Sequence, residues 1–235
     1  MPEALGYLAF GPTGFGDEIA AGVLVTVSLA LVTLPFGLVM GFLVALGRQS
    51  ADPLIRQASQ IYTTIFRGLP ELLTLFLVFF IAPVALSATV RLFADVRVEM
   101  SPFVAGVLAL GFVFSSFASE VFTSAFKGIG IGQYEGATAL GLSRWLTMRL
   151  VIMPQLLRIA LPGLSNLWLV LLKDTSLVSA IAINDIMRQT RVAAGYSKEH
   201  LLFYSVALLI YLGLSMISSA GIGQLERWTR RGEAR

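Results

Sequence analysis

Cysteine is absent from this 235-residue chain, which excludes disulfides, thiolate metal sites and thiol catalysis. A single histidine, His200, leaves little for a metal centre or a histidine-based triad. Charge is the next shortage. Asp, Glu, Lys and Arg make up 13% of the residues, about half the quarter typical of soluble domains. With 56% apolar residues and a mean hydropathy of +0.80, the chain cannot coat a water-facing surface. Its composition is that of an integral membrane protein, and its length suits one structural unit over residues 1–235. The formal charge of +3 is too small and too scattered for nucleic acid. No G-x-x-x-x-G-K-[ST] phosphate loop occurs, so ATP is not expected to bind this chain in that way. Internal repeats and low-complexity segments are missing too. The opening "MPEALGYLAFGPTGFGDE" has no basic n-region and no continuous apolar run, so it does not read as a signal peptide.

What the chain does have is five long uncharged runs, against the roughly 20 apolar residues that a spanning helix needs. They cover residues 19–47, 72–90, 100–119, 159–184 (interrupted only by Lys173-Asp174) and 201–225. The second helix is expected to begin earlier, near Ile61, and the fourth to be one span with an internal polar pair. Pro35 and Pro83 are expected to kink or stop their helices. Five spans place the termini on opposite sides. With the N-terminus outside, segments 48–60, 127–158 and 226–235 lie inside and hold ten basic residues, against five outside at Arg91, Arg97, Arg188, Arg191 and Lys198. The positive-inside bias therefore selects N-out, C-in. The fold class is all-α, with a cytoplasmic segment between spans 3 and 4.

That segment reads "QYEGATALGLSRWLTMRLVIMP", residues 133–154. Ala137 to Leu140 and Ser143 to Leu150 suit short helices, with Gly141 allowing a sharp bend between them. Pro154 is expected to close the second helix before the next span, and the small residues are expected to face outward so that a partner's groove can approach. An interfacial helix that binds only lipid headgroups fits the same periodicity.

The spacing resembles the cytoplasmic loop signature of ABC importer permeases: EAA, three residues, G, nine residues, I-x-L-P. Here it stands as EGA-TAL-G-LSRWLTMRL-VIMP. Glu135, Gly136, Ala137, Gly141, Val151, Met153 and Pro154 fall on its positions, with Gly136, Val151 and Met153 replacing Ala, Ile and Leu. "TTIFRGLPELL" (residues 63–73), "LKDTSLVSAI" (172–181) and "ALPGLSNLWLVLLK" (160–173) are similar to stretches of polar amino acid permeases, in particular the histidine, lysine–arginine–ornithine and opine group. The resemblance implies a transport subunit in the bacterial inner membrane, not an enzyme. It implies two separate ATPase subunits that carry the ATP and Mg, a second permease subunit that is a homologous different chain, and a periplasmic substrate-binding protein. No cofactor is expected on this chain itself.

Ionisable residues within a span cost several kcal/mol, about 2.5–3.5 at a helix centre on insertion scales, and so are functional or paired. Lys173 and Asp174 point about 100° apart on a helix and do not simply neutralise each other. With Thr175, Ser176 and Ser179 they either line the passage or form a polar cluster that locks helix packing. Glu120 is either a passage residue or a carboxylate reaching to water. Related permeases often carry Arg three residues after it, whereas this chain has Thr123, which leaves Glu120 without that charge partner. Arg67 and Glu71 are four apart, the spacing of a helix-end ion pair, and the resemblance adds Glu71 to the passage candidates. The small residues of "GLSMISSAGIG" (213–223) suit packing either within the bundle or against a second permease. A self-contained channel or secondary transporter, with Lys173 and Asp174 as a coupling pair, is the rival reading. Secondary carriers often contain repeated halves, which are not seen here.

Overall fold

The computed structural model describes residues 6–90 and 99–230. Arg91, Arg97, Arg231 and Arg235, which entered the charge balance, lie outside the described residues. The elements in chain order are α1 (Gly16–Arg48), α2 (Pro53–Gly68), α3 (Glu71–Val90), α4 (Pro102–Gly128), α5 (Ile131–Ala139) and α6 (Arg144–Thr147). A π-helical turn, Met148–Ile152, leads into α7 (Met153–Asp174) and a 3-10 segment, Thr175–Ile181, before α8 (Ile186–Ser197) and α9 (His200–Arg230). Five stretches are long and apolar enough to cross a membrane: Gly16–Arg48, Glu71–Thr89, Pro102–Gly128, Arg144–Ile181 and His200–Arg227.

Helix starts follow local chemistry. Asp52 accepts from the Leu54 N–H at 2.8 Å and Pro53 fills the first turn of α2. Ser101 and Pro102 do the same for α4, and Asp185 caps α8 through the N–H groups of Met187 and Arg188.

The second span departs from expectation. No helix runs through from Ile61. Leu69, held extended (φ −91°, ψ 142°) by the proline that follows, ends α2, and α3 begins at Glu71. The preceding α2 is amphipathic: Arg56, Gln60, Thr63, Thr64 and Arg67 recur at helical spacing on one face. A search for uncharged runs passes over such a helix. Neither Pro35 nor Pro83 stops its helix; both lie inside α1 and α3. The fourth span is a single stretch, as expected: α7 carries the polar pair at its end and the chain tightens to 3-10 geometry after Asp174. There the Thr175 hydroxyl donates to the Leu172 carbonyl at 2.7 Å.

At the centre lies α4, buried along most of its length. Its hydroxyls are satisfied within the helix: Ser115, Ser116, Ser119 and Thr123 donate to the carbonyls of Phe112, Val113, Ser116 and Ser119. In apolar surroundings the helix's own carbonyls are the nearest acceptors. Against it, α1 packs very closely. A Cβ added at Gly41 would stand 2.8 Å from the Ala118 Cβ and 2.9 Å from the Ser115 carbonyl oxygen. Reciprocally, Phe36 covers Gly111 and Phe114 covers Gly37. Small residues at such a crossing let two backbones approach where lipid supplies little hydrophobic driving force.

The outward faces of α1, α3 and α9 expose Leu24, Val39, Phe80, Val84, Leu208 and Ile217, as lipid-facing helices do. Gly213, Gly221 and Gly223 have open space where a Cβ would stand. Their small-residue stretch therefore does not pack against another helix at these positions within this chain.

Replacing Gly41 by valine is expected to destabilise the bundle by about 1–3 kcal/mol through overpacking of the α1–α4 contact. It would lower the thermal midpoint of the detergent-purified protein, with Gly41→Ala intermediate. An unchanged midpoint for Gly41→Val would mean that the two helices can separate without cost.

Candidate functional site

The connector between spans 3 and 4 is built by two capping motifs back to back. At the end of α5, Gly141 adopts a left-handed conformation (φ +74°). Its N–H donates to the Thr138 carbonyl at 2.9 Å, and the Leu142 N–H donates to the Ala137 carbonyl at 3.0 Å. This is the Schellman pairing that ends a helix on glycine. Immediately afterwards Ser143 caps α6, accepting from the Leu146 N–H at 3.4 Å. Only Gly141 and Leu142 separate the two caps, so the bend is sharp.

Two expectations for this connector are corrected. Pro154 does not close the second helix: α6 runs through the π turn into α7, with Pro154 in the first turn of α7. The proline's missing N–H falls just where the hydrogen-bond ladder passes from π to α spacing. Nor do all the small residues face outward. Glu135, Gly136, Gly141 and Pro154 are exposed and Val151 and Met153 half-buried, but Ala137 is 4% exposed and faces the protein.

The inner side of the bend encloses a cavity of about 370 Å³ between α5 and α6, lined by Tyr134, Thr138, Leu142, Arg144, Thr147, Met148 and Ile152. Burial pushes the Tyr134 phenol above its usual range. Gln155 ties the arms together, its amide donating to the Gln133 side chain at 3.0 Å and to the Val151 carbonyl at 2.9 Å. On the outer side Ile131, Leu140, Trp145 and Leu150 are exposed, and the Arg149 guanidinium lies 5.0 Å from the Trp145 ring centre.

A second cavity, of about 280 Å³, lies among α3, α4 and α7. Its walls are apolar, from Leu110, Phe114 and Phe117 on α4 and Leu167 and Leu171 on α7. Its polar groups are Glu71, Asn166 and Asp174. The helix break at Leu69-Pro70 sets Glu71 in the first turn of α3, and Asp174 ends α7. Asn166 and Asp174 share a face because they stand eight residues, about two turns, apart. Asn166 and Phe117 were not among the sequence candidates. The only available signal was Asn166 as a lone amide in an apolar run, in register with Asp174.

Of the other candidates, Lys173 is exposed and does not line this cavity. Among the described residues it makes no ion pair with Asp174. Thr175 and Ser179 are buried and Ser176 half-buried, all beyond the cavity wall.

Glu120 stands apart from the cavity and is doubly paired, to Arg48 at 3.1 Å and to Arg67 at 2.5 Å. The missing charge partner on its own helix is thus replaced by two from α1 and α2. The Arg67–Glu71 ion pair suggested by the spacing is absent among the described residues. The extended residue before Pro70 breaks the helical register that would have brought the two together. Among the described residues no cluster of three or more His, Cys, Asp or Glu side chains is placed to hold a metal ion.

Comparison with known proteins agrees with this architecture. Over its whole length the chain is similar to the nopaline transport system permease protein NocQ of Agrobacterium fabrum, with 40% identity over 227 residues covering 96% of each chain. It is also similar to the histidine/lysine/arginine/ornithine transport system permease protein HisQ of Escherichia coli, with 34% identity covering 91% of this chain and 94% of that one. Among solved structures, an amino acid ABC transporter with histidines superposes with a TM-score of 0.76 at 27% identity, over 91% of this chain and 94% of that one. Residues 11–231 match the family described as the binding-protein-dependent transport system inner membrane component. The chain is accordingly a multi-pass membrane subunit of an ABC transporter complex, whose ATP hydrolysis resides on separate ATPase subunits. By fold, by connector and by sequence over nearly its full length, it belongs to the binding-protein-dependent transport permeases.

Proposed function

We propose that this chain is a permease subunit that imports basic amino acids or opines across the bacterial inner membrane, oriented N-out and C-in. The observation that carries the substrate class is the placement of two carboxylates, Glu71 and Asp174, in one apolar cavity between α3, α4 and α7. An ammonium or guanidinium group entering there meets opposite charge in a poorly solvated setting, where Coulomb attraction is stronger than in water. Asn166 adds an amide that can donate to a carboxylate or accept from an amine. The names of the relatives, which transport nopaline or histidine, lysine, arginine and ornithine, fit the same chemistry.

The orientation rests on ten basic residues on one side against five on the other. It turns the 135–154 connector toward the cytoplasm. There two ATPase subunits, which hold ATP and Mg, grip this connector and that of a second, homologous permease chain. The exposed backbone at Gly136 and the apolar Leu140 and Trp145 offer a partner groove close approach and area to bury. Because α6 is continuous with α7 through the π turn, a push on the connector is carried into the helix that holds Asp174. Closure of the ATPases turns the passage toward the periplasm, where a binding protein delivers substrate, and hydrolysis returns it inward. Residues 1–235 act as one permease domain.

Three results test this. Glu71→Gln and Asp174→Asn are each expected to lower uptake of labelled L-arginine by about 10-fold or more in cells carrying the complete transporter, with membrane abundance unchanged. Wild-type uptake by both variants would remove the cavity from the passage. Gly141→Leu is expected to abolish transport while leaving the protein folded, since one left-handed leucine costs only about 1–2 kcal/mol. Normal transport by Gly141→Leu would count against docking at the connector. Gentle purification of the tagged chain is expected to bring with it an ATPase and a second, similar permease, identified by mass spectrometry. A chain that comes out alone under conditions that preserve known complexes would count against the assembly.

A further inference from the structure

Arg67 stands four residues before Glu71, yet it is turned elsewhere. Its guanidinium is bonded to Glu120 on α4 and lies 5.6 Å from the centre of the Phe117 ring. Phe117 is itself a wall of the cavity that Glu71 and Asp174 line. Arg67 therefore rests against a residue that forms one wall of the cavity holding the two carboxylates. Glu120 also holds Arg48, so one carboxylate occupies two guanidinium groups. Arg48 is the more enclosed of the two, with its side chain 18% exposed against 41% for Arg67. Arg67 is thus the partner with freedom to move.

We propose that Glu120 is a positioning residue that sets the charge specificity of the cavity. By retaining Arg67 against Phe117, it keeps Glu71 free to meet a cationic substrate. Without the Glu120 carboxylate, Arg67 is a long, mobile cation facing one unengaged carboxylate at the end of the next helix. An arginine paired with Glu71 would cancel half the charge of the cavity and fill part of its volume. This inference rests on the cavity being the substrate site, as proposed above.

The test is equilibrium binding of labelled L-arginine to the purified complex of both permeases and the ATPases. Five variants of this chain are compared: Glu120→Gln, Arg67→Gln, the double variant, Glu71→Gln and Asp174→Asn. Glu120→Gln is expected to raise the Kd by about 10-fold. Arg67→Gln alone is expected to bind as wild type does, because it removes the cation together with the need to hold it. The double variant is expected to return to within about threefold of wild type. A purely structural role for the Glu120 ion pairs predicts that Arg67→Gln also weakens binding and that the double variant is no better than Glu120→Gln.

Should Glu120→Gln fail to assemble, Glu120→Asp, which withdraws the carboxylate by one methylene, is expected to show a smaller rise that Arg67→Gln again reverses. A wild-type Kd for Glu120→Gln, or a double variant as poor as the single one, would overturn the proposal. Glu71→Gln and Asp174→Asn separate the two levels. If they weaken binding while Glu120→Gln does not, only the positioning role falls. If they too bind as wild type does, the cavity falls as the substrate site and the positioning role falls with it.

Discussion

A polar group among apolar helices has to find its partner inside the protein, because hydrocarbon offers none. Most of the architecture follows from this constraint. Four hydroxyls on α4 turn back onto their own helix's carbonyls, so the central helix presents an almost apolar surface and can be enclosed on several sides. That surface is low at Gly111 and is met by a low surface on α1 at Gly37 and Gly41. Backbone-to-backbone approach then gives dispersion contacts in place of the hydrophobic driving force that lipid removes. The Tyr62 hydroxyl, within 2.6 Å of the Ser115 hydroxyl, brings α2 onto the same helix.

Charge obeys the same constraint in two different ways. Glu120, Arg48 and Arg67 satisfy one another by contact, two arginines from α1 and α2 around one carboxylate on α4. Glu71 and Asp174 have no such partner among the described residues and face a cavity instead. The same bundle thus pairs one carboxylate with two arginines and leaves two others facing an apolar cavity, which is the contrast that the proposed substrate site rests on. The break at Leu69-Pro70 takes Arg67 and Glu71 out of the i, i+4 register of one helix, and Arg67 is engaged by Glu120 instead.

The connector is joined to these internal arrangements by a stiff backbone. Its bend is fixed by two caps rather than by a flexible loop, and its second arm is one helical path with α7. The π turn at Met148–Ile152 adds a residue to that path. It lets α6 and α7 join without the break that Pro154 alone would suggest.

Much was legible in the linear chain. The five spans, the glycine-centred bend and the spacing from Glu135 to Pro154 are properties of neighbours in sequence. Hydropathy over a bilayer's thickness and the left-handed preference of glycine act locally, so the residues alone determined them. What only the tertiary structure decided was pairing at a distance. Glu120 takes its partners from residues 53 and 72 positions away, Asp174 shares its cavity with Glu71 rather than engaging Lys173 beside it, and Ala137 faces inward. Helix spacing supplies the direction of a side chain relative to its own axis and says nothing of which helix stands opposite. That is settled by the close α1–α4 crossing and by the extended residue before Pro70. Together they decide which charges meet and which are left facing the cavity.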